Sequence, residues 1–245
     1  MSRCSARLRI TGWPADQPRS VPVIDLATYL ALHPERPYTA EELRDPLSIG
    51  KPRALEADTI RTYAGTLRRS VGADRLPDAG RRGYALSGAL TDWRRFNDPL
   101  AAVAHGAEPA EQAASLPEAL ALVRGSPFCD LPANGFGWVA TELLVSQVEV
   151  AVTGAAQRLV ELALAAGDWP LADWAANRGL TVSPTAEGLN AGVLQAAQLS
   201  GQADRIAQVW RDISRRYTAA EEPVPTELGQ LHDQTRHRSP STPQH

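Results

Sequence analysis

Between Leu55 and Val71 apolar residues recur every three or four positions, which is the spacing of one face of an α-helix. The pattern predicts one buried stripe, formed by Ile60, Ala64, Leu67 and Val71. The remaining face carries mostly small and basic residues, namely Arg61, Thr62, Gly65, Arg68 and Arg69. Gly72 stands where a helix C-cap belongs, so we expect the helix to end there.

A β-hairpin is predicted directly after this helix. Residues 75–76 form its first arm, residues 77–80 a turn, and residues 81–86, RRGYAL, the returning arm. Because the returning arm begins with Arg81 and Arg82, the hairpin is basic. A helix followed by a basic hairpin is the minimum of a winged-helix DNA-binding domain.

Two shorter helices are predicted upstream. Residues 24–32 are amphipathic, and Thr39 with Glu42 three residues later forms a capping box at the start of a second helix. Before them, Ala6–Ile10 alternates like a strand, and residues 21–23 leave room for a second one. Along the chain the predicted elements are a short sheet, three helices and a hairpin, which is the order found in a winged helix.

Four stretches carry a resemblance to a known family: LALHPERP at 30–37, TAEEL at 39–43, TIRTYAGTLRRSVG at 59–72 and RRGYAL at 81–86. In order and spacing they resemble the winged-helix domain of the SARP-type transcriptional activators of actinobacteria, which is similar to the DNA-binding domain of response regulators. The resemblance implies that residues 59–72 hold the recognition helix and that residues 81–86 close the wing. It also implies contacts to double-stranded DNA from Arg61, Thr62, Gly65, Arg68, Arg69, Arg81 and Arg82.

The chain departs from that family at the entry to the recognition helix, where it lacks the usual Trp and has Glu56 and Asp58. Acidic residues in a first helical turn stabilise the helix by about 0.3–1 kcal/mol, but they repel phosphate. Two hypotheses therefore stay open: a regulator that reads DNA, and a protein-interaction adaptor whose winged helix is degenerate and whose arginines are only solvated. A positive strip interrupted by Glu56, Asp58, Asp74 and Asp78 would favour the adaptor.

The second half of the chain is predicted to be helical, with helices at 116–124, 137–166, 170–180, 186–199 and 203–219. Residues 226–232 resemble the closing helix of the same family. Gly167 and Gly201 lie 34 residues apart, which is the tetratricopeptide period. The segment with Trp138 and Glu142 resembles the start of the bacterial transcriptional activator domain that follows the winged helix in the same family. The resemblance implies a helical domain that binds a partner protein or forms a homodimer. Candidate polar contact residues are Asn177, Arg178, Arg211 and Asp212.

The predicted fold class is mainly α with a small β component. A winged helix-turn-helix domain spans 1–90, an all-α tetratricopeptide-like domain 91–235 and a disordered tail 236–245. The 245 residues, 43% hydrophobic and 22% charged, suffice for two modest cores. The formal net charge is −3, but residues 1–100 carry +4 and residues 101–245 carry −7. A basic first half fits DNA contact.

No motif for catalysis is present. The Gly-x-Ser-x-Gly elbow, the His-Glu-x-x-His helix and a nucleotide-binding loop are absent, and the five histidines are scattered. Gly50 and Lys51 lack the other residues of a phosphate loop. Cys4 and Cys129 are expected to be reduced thiols, and no apolar run reaches the roughly 18 residues of a membrane span. We expect a cytoplasmic protein that is not an enzyme, holds no metal or cofactor, and does not contact a membrane.

Overall fold

The computed structural model describes Trp13 and residues 20–78, 82–104, 106–132 and 134–238. The predicted strand at Ala6–Ile10, the hairpin tip with Arg81, and His105 lie outside these residues. The described part is mostly helical, and its helices are α1 (Val21–Leu32), α2 (Ala40–Ser48), α3 (Ala57–Val71), α4 (Asp92–Ala104), α5 (Pro109–Ala121), α6 (Gly137–Thr141), α7 (Leu144–Ala165), α8 (Trp169–Leu180), α9 (Glu187–Leu199), α10 (Ala203–Ala219) and α11 (Thr226–Arg238). The chain forms two compact units, the first from Met1–Arg95 and Pro127–Gln147, the second from Phe96–Ser126 and Val148–His245.

In the first unit α3 packs against α1 and α2, and α6 packs against α2. Their core includes Leu26, Leu30, Leu43, Leu47, Ile60 and Leu67 together with Phe136, Trp138, Val139 and Leu144. Residues 127–147 were predicted to belong to the second domain, but most of their large apolar side chains lie in or against this first core. Gly137 makes the close approach of α6 possible, because a Cβ there would lie only 2.3 Å from the carbonyl oxygen of Ile49.

Two local predictions in the first unit have opposite outcomes. The capping box is confirmed: the side chain of Thr39 accepts from the backbone N–H of Glu42, and the Glu42 carboxylate accepts from that of Thr39 at 2.7 Å. The predicted second strand at residues 21–23 is wrong, because these residues form the first turn of α1. Pro22 suits that turn, where a backbone N–H has no partner in the helix.

The predicted β component shrinks to one antiparallel bridge, between Tyr38 and Tyr84, and no strand is assigned in the residues described. The two tyrosines exchange backbone hydrogen bonds of 2.9 and 2.7 Å. The backbone N–H of Ser87 donates to the carbonyl of Arg75 at 2.8 Å and ties together the two ends of the predicted hairpin. We call residues 75–87 the wing segment.

In the second unit α8, α10 and α11 pack on α9, and α5 packs on α8. Small buried residues allow the close packing: Ala163, Ala172, Ala175, Ala176, Ala196 and Ala197. The turns after α7 and α9 contain Gly167 with φ +73° and Gly201 with φ +67°, which confirms both predicted glycine turns. That these pairs are tetratricopeptide repeats stays a prediction.

Three expectations for the later part of the chain need correction. The helix predicted at 137–166 is broken between α6 and α7, where Leu143 has a φ of +54°. α11 continues to Arg238, past the predicted start of the tail at 236. Cys129 is disulfide-bonded and not a reduced thiol, while Cys4 lies outside the described residues.

Candidate nucleic-acid interface

Helix α3 presents the predicted basic side to solvent. Ile60, Ala64 and Leu67 are buried, as the periodicity predicted. Val71 is only half-buried, and Ser70 is instead the fourth buried residue, with its hydroxyl donating to the carbonyl of Thr66. We define the basic face as the exposed Arg61, Thr62, Gly65 and Arg69, the partly exposed Arg68, and the exposed Arg82 of the wing segment.

Arg61 is held by two carboxylates. Its Nη1 donates to Oδ1 of Asp58 at 2.5 Å, and its Nη2 donates to Oε1 of Glu41 on α2 at 2.6 Å. The hydrogen bond to Asp58, with a contribution from the charge of Glu41, raises the pKa of Arg61. Half of the arginine side chain remains exposed. The two acids therefore fix the direction of this guanidinium and offset part of its charge.

Thr62 and Gly65 form the flat middle of the basic face. The hydroxyl of Thr62 donates to the carbonyl of Asp58 at 2.9 Å. A Cβ on Gly65 would meet nothing within 4 Å, so packing gives no reason for a glycine there. Glycine inside a helix costs about 1 kcal/mol relative to alanine. Without a side chain at this position, the backbone of α3 is uncovered on the basic face.

The two arginines at the end of α3 differ in their partners. Nη1 of Arg68 pairs with Oδ2 of Asp78 in the wing segment at 3.1 Å. Arg69 contacts only its own helix, through the carbonyl of Gly65 and the hydroxyl of Thr66, and makes no ion pair within the described part of the chain. Arg69 therefore keeps its full charge for an external partner.

A glycine fixes the wing segment. Gly83 has a φ of +88°, and a Cβ there would lie 2.7 Å from the carbonyl carbon of Tyr38, so no other residue fits without a shift. The next residue, Tyr84, forms the bridge with Tyr38, and burial raises the pKa of Tyr84. Arg82 precedes them, is exposed, and forms no ion pair with a described residue. The predicted site residue Arg81 lies outside the described residues.

Acidic residues interrupt the positive charge of the basic face. Asp58 and Asp78 pair with Arg61 and Arg68. Glu56 is exposed at the start of α3, where its carboxylate lies 3.9 Å from Nη2 of Arg44. Sequence reasoning named these three acids but missed Glu41, because no local pattern pairs residues 20 positions apart.

A buried polar cluster that the sequence analysis missed supports the first unit. The carboxylate of Asp25 is almost fully buried, accepts from the indole N–H of Trp138 at 2.7 Å, and lies 3.3 Å from the ammonium of Lys51. Burial of a charge is costly unless it is paired and hydrogen-bonded, and both conditions are met here. The only hint of this cluster in the sequence is Asp25 itself, an acidic residue among the apolar residues of α1.

A second polar contact, between His33 and Glu142, joins the end of α1 to the segment 127–147. Nε2 of His33 lies 2.9 Å from Oε2 of Glu142, and its Nδ1 lies 2.8 Å from the carbonyl of Tyr29. The imidazole also stacks on the Tyr29 ring, with 4.1 Å between centroids. Burial, with the charge of Glu142 adding to it, raises the pKa of Tyr29 to about 12.

The four polar residues predicted for partner contact in the second unit differ in the contacts that they make. Arg178 donates to the carbonyl of Val123 at 3.0 Å and lies over the Trp174 ring, so its role is structural. Arg211 and Asp212 bond to neighbours on α10. Asn177 is exposed and lies beside Arg216.

Within the residues described, no group of three or more His, Cys, Asp or Glu side chains is arranged to hold a metal ion. Over the same ranges, each helix is too short or too polar to cross a lipid bilayer.

No protein-family model matches the chain, and no curated protein matches it. Among solved structures, Mycobacterium tuberculosis EmbR in complex with a low-affinity phosphopeptide superposes with a TM-score of 0.56 at 20% sequence identity. The fold is EmbR-like. The match covers 91% of this chain and 61% of the EmbR chain, so the protein spans about three fifths of EmbR's length. At this level of identity the likeness to EmbR establishes the fold alone.

Proposed function

We propose that the protein is a DNA-binding regulator of transcription, in which α3 enters the major groove and the second unit binds a protein partner or a second copy of the chain. The EmbR-like fold and the motifs similar to SARP-type activators support this function. In a helix-turn-helix domain the second helix of the motif carries the base contacts, and flanking elements contact the backbone. Here α3 would be that helix, and the wing segment would reach adjacent phosphates.

The observation that carries the proposal is the basic face itself. Its three arginines on α3 lie outside the buried stripe of Ile60, Ala64 and Leu67, and a Cβ on Gly65, between them, would meet nothing within 4 Å. Arg69 and Arg82 have no internal counter-charge among the described residues, so they are available to phosphate. Arg61, oriented by Asp58 and Glu41, is placed to donate to a base edge, since a fixed guanidinium suits bidentate contact with guanine.

A second candidate function is an adaptor that binds protein only. The acids beside Arg61 and Arg68 favour it, because they interrupt the positive strip and repel phosphate. EmbR was solved with a phosphopeptide bound, so a peptide ligand is a reasonable alternative for a protein of this fold.

Fluorescence anisotropy with pooled genomic fragments of the source organism, titrated at several salt concentrations, separates the two functions. We expect binding by the wild type to weaken steeply with salt. Replacing Arg61 and Arg69 together by Ala should weaken it at least about tenfold, because each such contact contributes about 1–3 kcal/mol.

The matched control replaces Arg94 and Arg95 by Ala, which removes the same charge from exposed positions outside the basic face. It should retain wild-type affinity within about twofold. A folded wild type that fails to bind DNA at low salt would rule out the regulator and leave the adaptor.

A further inference from the structure

Arg216, near the end of α10, has a half-buried side chain. Two other arginines of α10 are paired, Arg205 with Asp173 at 2.7 Å and Arg215 with Asp212. Arg216 makes no ion pair with any residue that the structure describes. Burial lowers its pKa, against the opposing effect of the Asp212 charge. Since arginine stays protonated in proteins, a positive charge remains here without a direct counter-charge.

Two amide oxygens hold this guanidinium in place. Nη1 of Arg216 donates to Oδ1 of the fully buried Asn190 at 2.8 Å, and Nη2 lies 3.5 Å from Oδ1 of Asn177. Both amides are anchored themselves. Asn190 donates to the carbonyls of Pro184 and Ala186, and Asn177 donates to that of Asp173 on its own helix, α8. Amide oxygens satisfy hydrogen bonds without neutralising charge, so the guanidinium is fixed and still attracts an anion.

We propose that Arg216, with Asn177 beside it, binds a carboxylate in an acidic segment of a protein partner. This proposal rests on the partner-binding role proposed for the second unit and not on DNA binding. A guanidinium has five N–H donors in a planar fork, which matches the two oxygens of a carboxylate. Two of these donors face Asn190 and Asn177, and the others form no hydrogen bond with a described residue.

A carboxylate fits this site better than a phosphate. Asp173 and Asp212 act on the charge of Arg216, and they would repel the −1.5 to −2 charge of a phosphate group more strongly than a single negative charge. One partly exposed ion pair gives little affinity by itself. A peptide is therefore a better ligand than a free carboxylate, because its other residues can add contacts.

Side-chain NMR of the full-length, nitrogen-15-labelled protein tests the site through the Nε–H signal of Arg216 and the amide group of Asn177. The probe is a blocked peptide of alternating Glu and Ser, compared with the same peptide carrying Gln for Glu and with inorganic phosphate. We expect saturable shifts with the Glu peptide, none with the Gln peptide and weaker ones with phosphate. Equal shifts with the Glu and Gln peptides, or shifts with phosphate alone, would overturn the proposal.

Two variants locate the effect. Arg216→Gln should weaken binding of the Glu peptide at least about tenfold, as expected for loss of one partner of a charge pair. Arg124→Gln makes the same change at an exposed position after α5 and should bind like the wild type.

Arg216→Gln also removes the hydrogen-bond donor to the buried Asn190 oxygen, so it could weaken binding by destabilising the fold. A second variant, which keeps Arg216, distinguishes the two causes. Asn177→Asp is nearly isosteric and exposed, and it places a carboxylate beside Arg216. It should fold with an unchanged or higher Tm and no longer bind the peptide. Undiminished binding by Asn177→Asp contradicts the site. A wild type that binds DNA but not the Glu peptide contradicts this inference alone, whereas one that binds the peptide but not DNA contradicts only the regulator proposal.

Discussion

The indole N–H of Trp138 donates to the buried carboxylate of Asp25 at 2.7 Å, across 113 positions of the chain. The ammonium of Lys51 approaches the other oxygen of the same carboxylate, at 3.3 Å, and is itself largely buried. These contacts join the segment 127–147, which contains Trp138, to α1 and to the residues that follow α2. Residues 127–147, which follow the predicted first domain (1–90), are therefore part of the first unit.

Replacing Asp25 by Ala should destabilise the first unit by about 3–5 kcal/mol, the usual cost when one partner of a buried ion pair is removed and the other is left uncompensated. Urea denaturation followed by tryptophan fluorescence measures the change. Asp45→Ala is the matched control, since Asp45 is exposed on α2, and it should change stability by no more than about 0.5 kcal/mol. Equal effects of the two substitutions would show that the buried cluster contributes nothing.

The features that the sequence predicted correctly are those set by neighbours within one helical turn. The buried face of α3 follows from residues three and four apart, and the capping box of Thr39 and Glu42 follows from residues three apart. Gly72, Gly167 and Gly201 have positive φ angles where the sequence predicted turns or helix ends.

The features that could not be predicted depend on contacts between distant positions. Nothing near Trp138 indicates that its partner is Asp25, and the pairing of Arg61 with Glu41 arises only when α2 and α3 pack together. The sequence pattern of the wing segment predicts a hairpin, but its described residues form one antiparallel bridge, to Tyr38, and one hydrogen bond between Ser87 and Arg75, and are not assigned to paired strands.

Replacing Gly83 by Ala should destabilise the first unit by more than about 1 kcal/mol, because an L-residue is strained at this φ and its Cβ would meet the Tyr38 backbone. DNA affinity should fall as well, since Arg82 precedes this glycine. Gly88→Ala separates the two causes: Gly88 also has a positive φ, of +67°, but a Cβ there meets nothing within 4 Å. Thermal denaturation should show a clearly larger loss for Gly83→Ala, and equal losses would assign the whole effect to strain.

Gly65→Ala should have opposite effects on folding and binding. The substitution should stabilise α3 by about 0.5–1 kcal/mol, since glycine is the poorer helix former and the space is open. It should nevertheless weaken DNA binding, because the methyl group stands in the middle of the basic face. Gly154→Ala, at an equally open position of α7, should stabilise the protein without changing binding. Unchanged DNA affinity in Gly65→Ala would remove Gly65 from the interface.

The capping box at Glu42 should make stability depend on acid pH. Hydrogen bonds from the backbone and hydroxyl of Thr39, and from Arg36, lower the pKa of Glu42 below its ordinary 4.5. A carboxyl group with a lowered pKa in the folded state contributes stability that is complete above its unfolded pKa and is lost as the pH falls through the folded value. The stability advantage of the wild type over Glu42→Gln should therefore be constant near neutral pH and shrink below about pH 4.5. Urea denaturation at a series of pH values, with Glu118→Gln as an exposed control, checks this expectation.

Neutralising the acids that hold Arg61 should change affinity and specificity in opposite directions. With Glu41→Gln and Asp58→Asn combined, two negative charges leave the neighbourhood of the DNA phosphates, so affinity for random DNA should rise severalfold at low salt. The same change frees the Arg61 guanidinium to adopt other directions, so the ratio of specific to random binding should fall. Glu118→Gln, an exposed acid of the second unit, should alter neither quantity. If the double variant bound both kinds of DNA more weakly than the wild type, the acids would have to contribute to the interface directly, for example by accepting from a cytosine amino group.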